Sequence, residues 1–140
     1  MKVLVDTPIW SLAFRKKDFN DANSITVNNL INLIRDSKIA IIGPIRQELL
    51  SGISDKNKFY EIKNKMSVFS DYDVYKEDYE FAAECSNECR RKGIQGSHTD
   101  FLICAIAIKN NWEIFTEDAD FFEYAKHLPI KMYKITMPYK

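Results

Sequence analysis

Residues 97–126 read SHTDFLICAIAIKNNWEIFTEDADFFEYAK, and the architecture follows from this pattern. Between Phe101 and Ile108 every position is apolar. A helix that is apolar on all sides belongs in the centre of a domain, so the stretch predicts a buried helix over Ser97–Lys109. Trp112–Phe115 follows as a strand, Ala119–Lys126 as a helix and Ile130–Tyr133 as a last strand.

The same alternation extends upstream. Lys2–Val5 reads as a strand ending at Asp6, followed by a short helix over Ile9–Phe14 and a charged turn at Arg15, Lys16, Lys17 and Asp18. Beyond the polar patch Asn20–Asn23, residues Ile25, Val27, Leu30, Ile31 and Ile34 recur at helical spacing. Ile39–Ile42 is a continuous apolar run, as in a strand covered on both faces. Pro44 suits the first turn of a helix running to Gly52. A polar helix is expected over Asp55–Met66, a short strand at Tyr72–Tyr75, and a helix over Glu77–Lys92 ended by Gly93 in the left-handed conformation. Strands alternating with helices predict an α/β domain with a mainly parallel sheet. Such sheets bind ligands at the carboxyl ends of their strands.

The chain has 140 residues, the length of one domain spanning 1–140. Hydrophobic residues are 46% and charged residues 29%, a soluble globular composition. Twenty basic residues balance twenty acidic ones, and the isoelectric point is near 6.7. That excludes a basic nucleic-acid coat, whose isoelectric point lies above about 9; contact with nucleic acid must come from a local site. No apolar stretch approaches the ~20 residues that span a bilayer. The opening residues lack a signal-peptide pattern, and the three cysteines, an odd number, suit a reducing cytoplasm.

Four acids stand at the ends of predicted elements. Asp6 follows the first strand and Asp118 comes three residues after Phe115. Glu48 lies in IRQELLSG, and Asp100 opens the apolar helix. Each alone reads equally as a turn, cap or surface acid. Together, clustered carboxylates repel and take up protons unless a cation neutralises them. An all-oxygen set without Cys or His selects Mg²⁺, or Mn²⁺, over zinc. The chemistry suited to such a cage is phosphodiester hydrolysis by activated water.

These residues resemble a known family. VLVDTPIWSLAFR looks like the opening of PIN-domain ribonuclease toxins of the VapC type. PIRQELLSGI resembles their second acidic motif, and GSHTDFLICAIAIKNNWEIFTEDADFF their third and fourth. The motifs run in family order from Met1 to Phe122. The resemblance implies a PIN-like α/β/α sandwich and a Mg²⁺- or Mn²⁺-dependent endoribonuclease leaving 5′-phosphate and 3′-hydroxyl ends. It implies Asp6, Glu48, Asp100 and Asp118 as the catalytic and metal-holding quartet. Thr7 and Thr116 match the hydroxyl residues beside it, and Asp120 is a supporting or alternative acid. It also implies an RNA substrate, a homodimer and a cognate antitoxin. One departure is Pro8, where family members often have Ser; proline removes a backbone donor near the site.

Basic residues that could guide RNA are Arg15, Lys16 and Lys17, Arg46, and Arg90, Arg91 and Lys92; all read equally as solvated turns and helix ends. Five acids and no Lys or Arg fall between Glu113 and Glu123, a strip that would repel RNA without cations. Cys85, Cys89 and Cys104 read as core thiols rather than zinc ligands, and His98 as a capping or packing residue. Trp10 and Trp112 read as core. Gly93–Gly96 has the spacing of a KH-module loop but sits in the wrong order of elements. Two rival functions remain: an inert PIN-like RNA-binding or protein-interaction module, and a housekeeping RNA-processing nuclease. A phosphatase using Asp6 would need an acid at position 8, which is Pro8.

Overall fold

The computed structural model describes residues 1–15 and 21–137. The charged-turn residues Lys16, Lys17 and Asp18, and Asn20, lie outside them. Among the described residues, β1 (Val3–Val5) leads into α1 (Thr7–Ala13) and α2 (Asp21–Arg35). Then come β2 (Ile39–Ala40), α3 (Gly43–Ser51), α4 (Lys56–Met66), α5 (Lys76–Arg91) and α6 (His98–Asn110). The chain closes with β3 (Glu113–Phe115), α7 (Asp120–Tyr124) and β4 (Lys131–Met132).

The four strands form one sheet in the order β2-β1-β3-β4, and every pairing is parallel. Val5 of β1 is in register with Phe115 of β3. The chain leaves β1 toward β2 and leaves β3 toward β4, so the two connections diverge. This opens a crevice at the carboxyl ends of the two central strands, where an α/β sheet offers a ligand site. Asp6 and Thr116 are the first residues past those strands.

Burial explains the centre of the fold. Leu4, Val5, Ile114 and Phe115 are 1% exposed or less. Phe101 through Ala107 are all buried, as an all-round apolar helix requires. Helix α6 packs on both α5 and β3. Left-handed residues end helices α5 and α6. At Gly93 (φ 78°), the amide of Ile94 bonds back to Cys89; at Asn111 (φ 58°), the amide of Trp112 bonds back to Ala107. Each arrangement satisfies carbonyls that the helix end would otherwise leave open. No described helix is long and apolar enough to cross a membrane.

The expected elements differ from the observed ones in four places. The Tyr72–Tyr75 strand is a single bridge from Tyr72 to Ile42, because Tyr75 at once turns to cap α5, its amide donating to Asp78 Oδ2. The strand at Ile39–Ile42 shortens to two residues, Ile42 turning into the start of α3. Helix α7 ends at Tyr124 rather than Lys126, and β4 has two residues. On α2 the buried residues are Thr26, Asn29, Leu30 and Leu33, while Ile31 is 43% exposed. The helical spacing is borne out, and Asn29 joins the inner face of α2 to hold the C-terminal segment. Its side chain accepts from Tyr133 Oη at 2.7 Å and from the Thr136 amide at 2.8 Å. It also donates to the Thr136 carbonyl at 3.0 Å.

Candidate active site

Asp6 is both the end of β1 and the cap of α1, its Oδ1 accepting from the Thr7 amide at 2.8 Å. Pro8 falls at the second position of α1. No helical partner exists for an amide there, so the missing donor leaves the local fold intact. Asp6 Oδ2 accepts from Thr116 Oγ1 at 2.8 Å. The same Thr116 oxygen accepts from the Asp118 amide at 3.0 Å. One hydroxyl therefore ties the ends of β1 and β3 together. Thr7 Oγ1, beside Asp6 in the chain, is buried with no hydrogen-bond partner, an exception among buried polar atoms.

Asp100, in the first turn of α6, comes within reach of the loop after β3. One carboxylate oxygen each from Asp100, Asp118 and Asp120 lie within 4.8 Å of one another. The loop holds its shape through its own acids, the Asp120 amide donating to Asp118 Oδ1 at 2.9 Å. Asp100 is half-buried, and its Oδ2 accepts from Tyr124 Oη at 2.7 Å. Glu48 is exposed on α3. It lines an open groove of about 640 Å³ with Ser11, Phe14, Arg15, Leu49 and Lys58.

The electrostatics report the crowding. Burial pushes the Asp6 carboxyl up to about 6, helped by the charges of Asp100 and Glu48 and opposed by the Thr116 and Thr7 hydrogen bonds. Burial also raises Asp100, with Asp118 and Asp120 adding to the effect and the Tyr124 bond resisting it. Among the described residues, no Lys or Arg pairs with any of these acids. The ion pairs engage Asp71, Glu61, Glu88, Asp78 and Glu123 instead.

Of the predicted quartet, the structure thus gathers Asp100 and Asp118, together with Asp120. Asp6 stands one hydroxyl away through Thr116, and Glu48 is near enough for its charge to raise Asp6. The acidic strip after Glu113 divides. Asp118 and Asp120 enter the cluster, Glu123 pairs with Lys126 at 3.0 Å, and Glu117 accepts from Thr26 at 3.4 Å.

Arg46 is not available to RNA. Its guanidinium grips Asp71 at 2.8 Å and also donates to the carbonyls of Met66 and Phe69. It clamps the turn after α4. Arg15 is exposed in the groove beside Glu48. Arg91 pairs with Glu88 at 2.8 Å, and Arg90 lines a hollow between α5 and α6 with His98. All three cysteines are free and buried, and burial raises each thiol. The residue missing from the sequence reading is Tyr124. Its i, i+4 spacing from Asp120 was the available signal.

Residues 3–127 match the family model of the PIN domain. Over 123 residues the chain is 31% identical to VapC ribonuclease Mb1587 of Mycobacterium bovis, covering 85% of this chain and 88% of that protein. Ribonuclease VapC11 of Mycobacterium tuberculosis matches at the same identity and coverage. Among solved structures, VapBC2 from Rickettsia felis bound to a promoter DNA fragment superposes with a TM-score of 0.73 at 24% identity, covering 95% of this chain and 98% of that one. FitAcB from Neisseria gonorrhoeae superposes at 0.74 and 16% identity, covering 94% and 96%.

Proposed function

The chain belongs to the PIN domain family, and from that premise we propose that it is a metal-dependent endoribonuclease, the toxin of a toxin–antitoxin pair. In this reading residues 1–140 form one PIN domain whose acidic crevice hydrolyses RNA phosphodiesters.

The observation that carries the reading is the convergence of Asp100, Asp118 and Asp120 oxygens within 4.8 Å, with no basic partner among the described residues. Three carboxylates this close repel one another, and a hard divalent cation removes that conflict. The all-oxygen donor set fits Mg²⁺ or Mn²⁺. Asp100, Asp118 and Asp120 would hold the ion, with Asp6 and Glu48 completing the quartet directly or through water. When bound, the ion supplies an acidified water and positive charge opposite the scissile phosphate.

The protein's own groups do the positioning. Thr116 fixes Asp6 and the Asp118 backbone with one hydroxyl, so the two sides of the crevice cannot drift apart. Burial pushes Asp6 up to about 6 where no cation faces it, and a cation held beside it would favour its charged form. Glu48, with no ion pair among the described residues, would orient the attacking water from the groove side.

The solved neighbours VapBC2 and FitAB are bound to DNA fragments, and by likeness to them the partner of this chain would be an antitoxin. The groove beside Glu48, with Phe14, Leu49, Ile53 and Ile62 on its walls, offers that partner an apolar surface next to the acids. A homodimer is expected, and light scattering at twice the chain mass would bear it out. With free thiols and RNA as its substrate, the protein would work in a reducing cytoplasm.

The test is cleavage of a mixed RNA substrate. EDTA should abolish it, and added Mn²⁺ should restore it. Asp100→Asn should lower the rate by more than about 100-fold while keeping the fold. Wild-type rates in either case would overturn the reading.

A further inference from the structure

Asp100 is the one acid of the cluster whose side chain is gripped from outside the site. Its backbone is fixed by the first turn of α6, where its amide donates to Ser97 Oγ at 3.0 Å. Its carboxylate, however, faces Asp118 and Asp120. Like charges at that range drive a free side chain apart before any cation arrives. Tyr124 Oη opposes this with a 2.7 Å bond to Oδ2, a charge-assisted contact.

Tyr124 is itself immobile. It is fully buried, and its ring packs on Phe101 at 4.9 Å and Phe121 at 5.2 Å between centroids. It also lies four residues after Asp120 on α7, so both project from one side of that helix. The bond thus draws α7, and Asp120 with it, toward Asp100. Gly96 completes the arrangement. A methyl on its backbone would overlap the Tyr124 hydroxyl and stand 2.7 Å from Cζ and 3.0 Å from Phe101 Cε2. Its backbone is not left-handed, so glycine is needed there for space alone.

We propose that Tyr124 is the positioning residue of the acidic cluster, its hydroxyl holding Asp100 against Asp118 and Asp120, with Gly96 keeping the approach clear. This rests on the metal-dependent reading above. The ligand-orienting partners of a metal site are worth about 10–100-fold in metal affinity.

Tyr124→Phe removes the hydroxyl and keeps the ring packing, so it tests the bond and not the core. Mn²⁺ titration by calorimetry and by electron paramagnetic resonance should show binding weakened by about 10–100-fold, with the metal-free melting temperature nearly unchanged. At saturating Mn²⁺ the variant's kcat should recover, with KM for RNA as in the wild type. A purely structural role would not give metal rescue. Gly96→Ala should weaken Mn²⁺ binding similarly, and the double variant should be little worse than either single one. Tyr124→Phe binding Mn²⁺ as tightly as the wild type, or losing kcat beyond rescue, would overturn the proposal and leave the nuclease reading standing. A wild-type protein that binds no Mn²⁺ would overturn both.

Discussion

Replacing Asp6 with Asn should make the metal-free protein more stable as it destroys activity. Asp6 is 4% exposed, and burial moves its carboxyl from 3.8 to about 6. At about 1.4 kcal/mol per tenfold change in proton affinity, that displacement costs the folded state about 3 kcal/mol whenever Asp6 is charged. The folded chain holds this proton more tightly than the unfolded chain. Wild-type stability therefore falls as pH rises from about 4 to about 6, and the full cost is present above that window. Asn resembles the protonated acid in shape and carries no charge to desolvate. The variant should match the wild type near pH 4 and exceed it by up to about 3 kcal/mol near pH 8, or roughly 10 °C in melting temperature at this chain length. The assay is thermal or urea unfolding of EDTA-treated protein across that pH range. Excess Mn²⁺ should narrow the gap, because the wild type gains more from binding than the variant. A difference that is absent near pH 8, or constant across pH, would refute the reasoning.

Arg46→Ala should cost about 2–3 kcal/mol through lost bonds to Asp71, Met66 and Phe69. RNA cleavage per folded molecule should be unchanged, and urea unfolding beside a rate assay separates the two effects. Asn29→Ala should destabilise by a similar amount. Amide exchange from Tyr133 to Met137 should quicken, since Asn29 alone makes three hydrogen bonds to Tyr133 and Thr136. Glu48→Gln should weaken Mn²⁺ binding less than Asp100→Asn or Asp118→Asn, as calorimetry can measure, because Glu48 stands outside the three converging acids.

Much of this was legible in the residues in order. The all-round apolar run at Phe101–Ala107 had to be central. Asp6 and the Thr116–Asp118 loop fall on the same edge once the sheet is parallel, because strand ends gather there. The helix end at Gly93 followed from backbone preference. These are local or periodic signals, and each residue carries its own share. What tertiary structure alone decided depends on partners far apart in the chain. Thr116 meets Asp6 across 110 residues, Tyr124 meets Asp100 across 24, and Arg46 meets Asp71 across 25. Asn29 joins the inner face of α2 because its partners come from the far end of the chain. A hydrogen bond between distant segments leaves no period behind. It exists only once the sheet has brought both ends into reach, and so it was the fold that chose Asp120 for the cluster, Tyr124 for its support and Arg46 for a turn.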